Sequence, residues 1–369
     1  MRTWVKTLGV AALLALGACK PAPAPVAKAG GELHIYNWSD YIDPALLAQF
    51  TKETGIKVRY DTFDSNEVLE TKVLQGGTGY DIVVPSNHAV PRYIAAKAIR
   101  PLDKSKLEGL SNLAPDVLAH MDPFDPGEAY SVPYMQGTIG IGYNVDAVAK
   151  RLPGVKIDSW AVVFDPKNMA KLKDCGVYFL DASEDMYAVA LNYMGKDTNS
   201  KSLADYAAAT GMLMKVRPYV RKFHSSQYID ALANGDICVA IGYSGDVLQA
   251  KSRAEEAKNK VKLAYALPKE GSQVWYDLFT VPVDAPNATA AYSFLNFMLR
   301  PDIIARASNY TKYANANAAS TKLLDPSVRD DPAAYPTADL TKRLFVTTTK
   351  DQALLREVNR YWTKVLTDQ

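Results

Sequence analysis

Between Leu33 and Pro85 the chain runs strand, helix, strand, helix, strand, and this order restricts its fold more than any other feature. Leu33 to Asn37 reads as a strand. Asp43-Pro44 then opens a helix, with Asp43 as N-cap and Pro44 in the first helical position. Leu46, Leu47 and Phe50 form its apolar stripe, and Gly55 ends it. Lys57 to Phe63 is a second strand. Asp64, with Glu67 three residues on, reads as the start signal of a second helix, which Gly76-Gly77 stops. Ile82 to Pro85 is a short unbroken apolar run, the kind buried on both faces of a parallel sheet. The fold class is therefore α/β.

A second α/β unit follows from Trp160 to about Pro268. It has strands at Val177–Leu180 and Ile237–Gly242 and helices at Met186–Tyr193 and Asp246–Asn259. Tyr130 to Asn144 reads as extended chain with glycines at 137, 140 and 142, suited to crossing between two lobes. Val274 to Phe279 is a further strand and Ala290 to Leu299 a helix that Arg300-Pro301 ends. The tail from Ala338 to Gln369 has helical character, with Leu354, Val358 and Trp362 at four-residue spacing.

The N-terminus reads as an export signal. Arg2 and Lys6 precede a short apolar run, Leu8 to Leu16, too short to span a membrane. Leu16-Gly17-Ala18-Cys19 resembles the lipobox of bacterial lipoproteins, in which cleavage leaves a lipid-bearing cysteine; cleavage at a small-residue site without lipid is the alternative. Residues 20–30 make a Pro/Ala tether that builds no core. The full chain has 42 basic and 40 acidic residues, and the two extra cations, Arg2 and Lys6, lie in the leader. The remaining body is balanced in charge, which argues against a nucleic-acid partner. Its two cysteines, Cys175 and Cys238, suit one disulfide in an exported compartment, with two free thiols as the alternative. No histidine lies at ligand-like spacing from either.

Ligands of parallel α/β sheets gather at the carboxyl ends of strands. Five expected strand ends carry aromatic or polar groups: Trp38-Ser39-Asp40-Tyr41, Pro85-Ser86-Asn87-His88, Asp181 to Asp185, Tyr243-Ser244-Gly245-Asp246 and Trp275-Tyr276-Asp277. The recurring pair is an aromatic with an acid two or three positions on. An aromatic face attracts an ammonium ion, and a carboxylate offsets its lost hydration. The pattern predicts an aromatic-walled slot with a carboxylate toward each end, suited to a linear diamine. Single members have plainer readings: Asp246 as a helix cap, Asp181 to Asp185 as a helix entry, Trp275 as core. The chain lacks G-x-S-x-G, zinc-like histidine spacing and a phosphate-binding G-x-x-x-x-G-K-[ST], so neither an enzyme nor a cofactor or metal site is expected.

Long runs then carry a family resemblance. They are LHIYNWSDYI at 33–42, FDSNEVLETKVLQGGTGYDIVVPS at 63–86, MQGTIGIGYNVD at 135–146, FLDASED at 179–185, FHSSQYIDALANGDICVAIGYSGDV at 223–247 and YANANAAS at 313–320. From about residue 31 to its end the chain resembles the periplasmic polyamine-binding proteins of ABC importers, and within them the putrescine-binding branch. The resemblance implies a type II periplasmic binding protein, two α/β lobes that close over a cleft like a hinged trap. The expected division is a leader at 1–18, a tether at 19–30, one lobe from 31–138 with 274–321, and a second from 139–273 with 322–369.

By the same resemblance Trp38 and Tyr243 sandwich a methylene chain, and Asp277 and Asp246 receive ammonium groups. Ser39, Asp40, Tyr41, Ser86 and Tyr313 complete the wall, and Cys175 and Cys238 fall where relatives carry a disulfide. Asp185 and Trp275 belong to the same expected site but depart from the family pattern. Asp185 stands where relatives have glutamate, with Glu184 beside it as a substitute. Trp275 stands where putrescine binders tend to have phenylalanine, Tyr243 stands where relatives usually have tryptophan, and His88 falls at a position that varies with ligand length. The implied partners are a polyamine, putrescine or spermidine, and an inner-membrane ABC permease. The implied state is a periplasmic monomer held to a membrane only through Cys19. A polyamine sensor, or the same fold with another organic cation, is the alternative.

Overall fold

The computed structural model describes residues 31–367; the expected leader, the tether and Cys19 lie outside the described residues. Eleven strands form the frame: β1 (Gly31–Trp38), β2 (Ile56–Phe63), β3 (Ile82–Val83), β4 (Ser131–Asn144), β5 (Val177–Phe179), β6 (Lys222–Phe223), β7 (Val239–Tyr243), β8 (Leu263–Ala266), β9 (Ser272–Thr280), β10 (Ala314–Asn315) and β11 (Leu344–Val346). They connect in the order β2-β1-β3-β9-β4-β7-β5-β6, with β8 and β10 on β4 and β11 on β9. β1 lies parallel to both β2 and β3, and β7 and β6 lie parallel to β5. Antiparallel β9 and β4 join these two parallel groups.

β4 is the continuous link. Its residues Ser131 to Thr138 pair with β9, and Ile139 to Asn144 pair with β7 and β8. One strand therefore serves both halves, and the glycines expected at a crossing lie in it. β1 shows why the first unit forms: Leu33, Ile35 and Asn37 are buried while alternate residues stay partly exposed. The Pro44–Thr54 helix is capped by Asp43, which accepts a bond from Ala45 N, and Gly55 takes the left-handed conformation that ends it (φ 77°).

Several local expectations shift. Ser65, not Asp64, caps the Asn66–Gln75 helix; its hydroxyl accepts from Val68 N. The helix expected from Met186 begins earlier, at Ser183, and the one expected from Asp246 begins at Ser244. The tail is not uniformly helical. Leu344–Val346 forms β11 beside β9 before the Gln352–Thr367 helix buries Leu354, Val358 and Trp362. Three residues of edge strand leave too little periodicity to be seen in sequence.

Cys175 and Cys238 form a disulfide across the starts of the paired strands β5 and β7, with Cα atoms 5.5 Å apart. Closing a loop of this length stabilises the folded state by about 4 kcal/mol on chain-entropy grounds. Among the described residues no helix is long and apolar enough to cross a membrane.

Candidate ligand-binding site

A cavity of about 440 Å³, part of it open to solvent, lies where the carboxyl ends of β1, β2, β3, β5, β6 and β7 meet β9. Trp38, Ser39 and Tyr41 enter it from the end of β1, Ser86 from the turn after β3, and Asp185 from the Ser183–Tyr193 helix. Tyr243 and Asp246 enter from the end of β7, Trp275 and Asp277 from β9, and Tyr313 from just before β10. Ten of the eleven expected site residues thus share one cavity.

Asp40 is the exception and a correction. Its backbone turns into the left-handed region (φ 55°), and its carboxylate meets Arg253 at 2.5 Å, outside the cavity. Arg253 also reaches Asp230 at 2.6 Å. The physical reason is local: Trp38 Nε1 donates to Val84 O, which sets the end of β1, and the turn that follows points Asp40 away.

Four lining residues escaped the sequence reading: Phe63, Asp64, Ser225 and Ser226. Phe63 pairs in register with Trp38 across β1 and β2, and the two rings lie 4.6 Å apart. The rule that ligands gather at strand ends, applied to β2, finds Phe63 and Asp64. Ser225 and Ser226 follow β6, whose two residues leave no strand signal.

The aromatic walls are mutually braced. The Trp275 ring meets Tyr243 edge-on at 5.7 Å, Tyr313 at 5.2 Å and Tyr41 at 6.4 Å. Close packing here requires glycine: a Cβ on Gly137 would lie 2.5 Å from the Trp275 ring, and one on Gly245 would lie 2.5 Å from Tyr313.

Three carboxylates line the cavity in buried positions. Tyr313 and Tyr228 hydroxyls donate to Asp246 at 2.7 Å each. Asp185 accepts from Tyr243 OH and Gln273 Nε2, both at 2.8 Å. Asp277 accepts from Ser86 Oγ at 2.6 Å, and Asn66 holds Ser86 through its backbone and its hydroxyl. Burial raises all three carboxyls, to about 7 for Asp246 and Asp277 and about 6 for Asp185, while these hydrogen bonds hold them lower than burial alone would. Asp185 and Asp246 further raise Asp277. The lining includes no lysine, arginine or histidine. Ionised, the cavity holds negative charge that no protein cation in its wall offsets, so it favours a cationic guest.

Glu184, the neighbour of Asp185, faces elsewhere. It meets Arg92 at 3.0 Å and Lys350 at 3.1 Å, and Arg92 meets Glu70 at 2.6 Å. Burial would raise Glu184, but Lys350 and Arg92 override it and hold the carboxyl at about 2. Asp185 is therefore the acid of this pair that lines the cavity. His88 is buried beside Glu184 and outside the lining, its Nε2 3.7 Å from Glu184 Oε1; burial lowers it to about 4. Asp181 leaves the site as well, accepting from Trp362 Nε1 at 2.9 Å.

With this geometry in view, the profile of the bacterial extracellular solute-binding protein family matches residues 45–337. The chain belongs to that family. It is 50% identical over 366 residues to the putrescine-binding periplasmic protein PotF of Escherichia coli K12, covering 99% of this chain and 98% of that one. It is 48% identical to the putrescine-binding periplasmic protein SpuD of Pseudomonas aeruginosa UCBPP-PA14, covering 90% and 91%. Among solved structures, the spermidine/putrescine ABC transporter substrate-binding protein PotD of Streptococcus pneumoniae superposes with a TM-score of 0.72 at 32% identity, covering 92% of this chain and 99% of that one. These extracellular binding proteins share the mixed α/β, two-lobed architecture.

Proposed function

We propose that this protein captures a linear polyamine outside the cytoplasm and delivers it to an ABC permease. The observation that carries the reading is the cavity wall: three buried carboxylates, a set of braced aromatic rings and no basic side chain. A polyamine matches both features. Each ammonium takes a carboxylate, and the methylene chain lies against aromatic faces. Asp277 and Asp246 pair with the two terminal ammonium groups, and Trp38, Tyr243 and Trp275 wall the chain between them. Asp185 adds negative potential at one end. The names of the relatives support this assignment, since PotF and SpuD are both putrescine-binding proteins.

The lobes are 31–138 with 274–321 and 139–273 with 322–369, and they close as a monomer over the ligand. Cys19 carries the lipid that tethers the body to a membrane facing the periplasm. Calorimetry of the protein with putrescine, cadaverine, spermidine and spermine tests the assignment. Putrescine is expected to bind most tightly, and absence of heat with all four overturns the polyamine reading. Labelling with radioactive palmitate, lost in Cys19→Ala, tests the anchor separately.

A further inference from the structure

The Ser183–Tyr193 helix carries Asp185 on its first turn, yet its own N-cap position is Ala182, which has no side chain to cap it. Open N–H groups at a helix start need an acceptor, and an anionic one is favoured by the helix dipole. The acceptor comes from the other half of the molecule. Glu67, on the Asn66–Gln75 helix that follows β2, places Oε1 2.9 Å from Ser183 N and 2.7 Å from Ser183 Oγ. The next residue, Glu184, is held from the same half by Arg92 at 3.0 Å. The third, Asp185, faces the cavity. Two consecutive residues of this turn are thus gripped across the gap between the halves, and the third lines the cavity.

Glu67 looked in sequence like part of the start signal of its own helix. That role belongs to Ser65, so the sequence position of Glu67 does not explain its carboxylate.

We propose that Glu67 is a positioning residue for the cleft: on closure it caps the Ser183–Tyr193 helix from the opposite lobe and so sets the turn that presents Asp185. Each half brings a balanced partner set to this contact. Arg92 already has Glu70 on its own side, and Glu184 has Lys350, two residues before the Gln352–Thr367 helix packed on the Ser183–Tyr193 helix. Closure therefore joins two neutral pairs, and Glu67 adds one further carboxyl, raised to about 7 chiefly by burial and lowered in part by its bond from Ser183. The cap is then made in the closed form and released on opening, which ties the geometry of Asp185 to closure itself.

Both parts of the test are read on ligand-bound protein and so rest on the polyamine reading, which calorimetry of the parent protein checks first. Glu67→Ala is expected to weaken putrescine binding about tenfold, the scale of a lost helix cap. Glu67→Gln, which keeps the acceptor and loses the charge, falls between it and the parent protein. In an Asp185→Asn background the effect of Glu67→Ala shrinks to less than about twofold, because the two residues act through one turn. In the putrescine-saturated protein, hydrogen exchange of the Ser183 to Asp185 amides quickens in Glu67→Ala, while exchange at Val189 to Leu191 stays unchanged. Unchanged exchange at 183–185, or an undiminished affinity loss in the Asp185→Asn background, overturns the proposal. If the parent protein shows no heat with any polyamine, the ligand reading fails, a result distinct from ligand-bound protein whose 183–185 exchange is unchanged, which overturns the cap.

Discussion

Asp277 shows how much a single residue depends on its surroundings. It is buried, accepts one bond from Ser86, and shares its cavity with Asp185 and Asp246. Its carboxyl is raised to about 7, which means the empty protein resists ionising it. Asp277→Asn should therefore weaken putrescine binding by about 2–4 kcal/mol, the loss typical of one member of a buried charge pair. The same change should leave the melting temperature of the empty protein at pH 8 equal or higher, since it removes a buried charge without a partner. Calorimetry and thermal unfolding check the two halves together; a lowered melting temperature with unchanged affinity would make Asp277 a structural residue. Trp38, Tyr243, Asp246 and Asp277 were legible in sequence because each sits within a few residues of a strand end with a strong local signal. Asp40 was misplaced because one left-handed backbone turn reverses a side chain, and composition does not reveal that turn.

At the scale of elements, β4 and β9 matter most. They are antiparallel, they join the two parallel groups, and β9 carries both Trp275 and Asp277 into the cleft. Gly137 in β4 lets Trp275 and Tyr313 lie against the backbone. Gly137→Ala would place a methyl group 2.5 Å from the Trp275 ring, which has to move into the cavity. Affinity should fall by about 1–3 kcal/mol, the usual cost of overpacking, with a change in tryptophan fluorescence on ligand addition. Unaltered affinity and fluorescence would show that the wall tolerates the displacement. Long strands and capped helices were readable because their periodicity repeats over several turns or residues. β6 and β11, with two and three residues, were not, and Ser225 and Ser226 were missed with β6.

For the molecule as a whole, the three raised carboxyls of the cavity make binding and stability respond to pH in opposite directions. Asp185, Asp246 and Asp277 have folded-state values of about 6, 7 and 7 against an ordinary value near 3.8. A carboxyl raised in the folded state stabilises it fully below its unfolded value and loses that contribution as pH rises through the folded value. The contribution of these groups to the stability of the empty protein therefore declines between about pH 4 and pH 8. A polyamine stays protonated across this range and selects the ionised carboxylates, so its affinity should rise from pH 5 to pH 8 with release of protons. Titrations at pH 6.5 in two buffers of different ionisation enthalpy measure that release; a pH-independent affinity without proton release would refute the linkage. The sequence by itself determined the α/β alternation, the candidate crossing strand, and the aromatic and acidic groups at strand ends, because those signals lie in neighbouring residues. Only the tertiary structure decided that Asp185 faces the cavity while Glu184 faces Arg92 and Lys350, and that Asp40 turns outward. It also decided that Glu67 reaches across to a helix more than a hundred residues away. Those facts depend on how segments distant in sequence meet, and no local pattern encodes the facing surface.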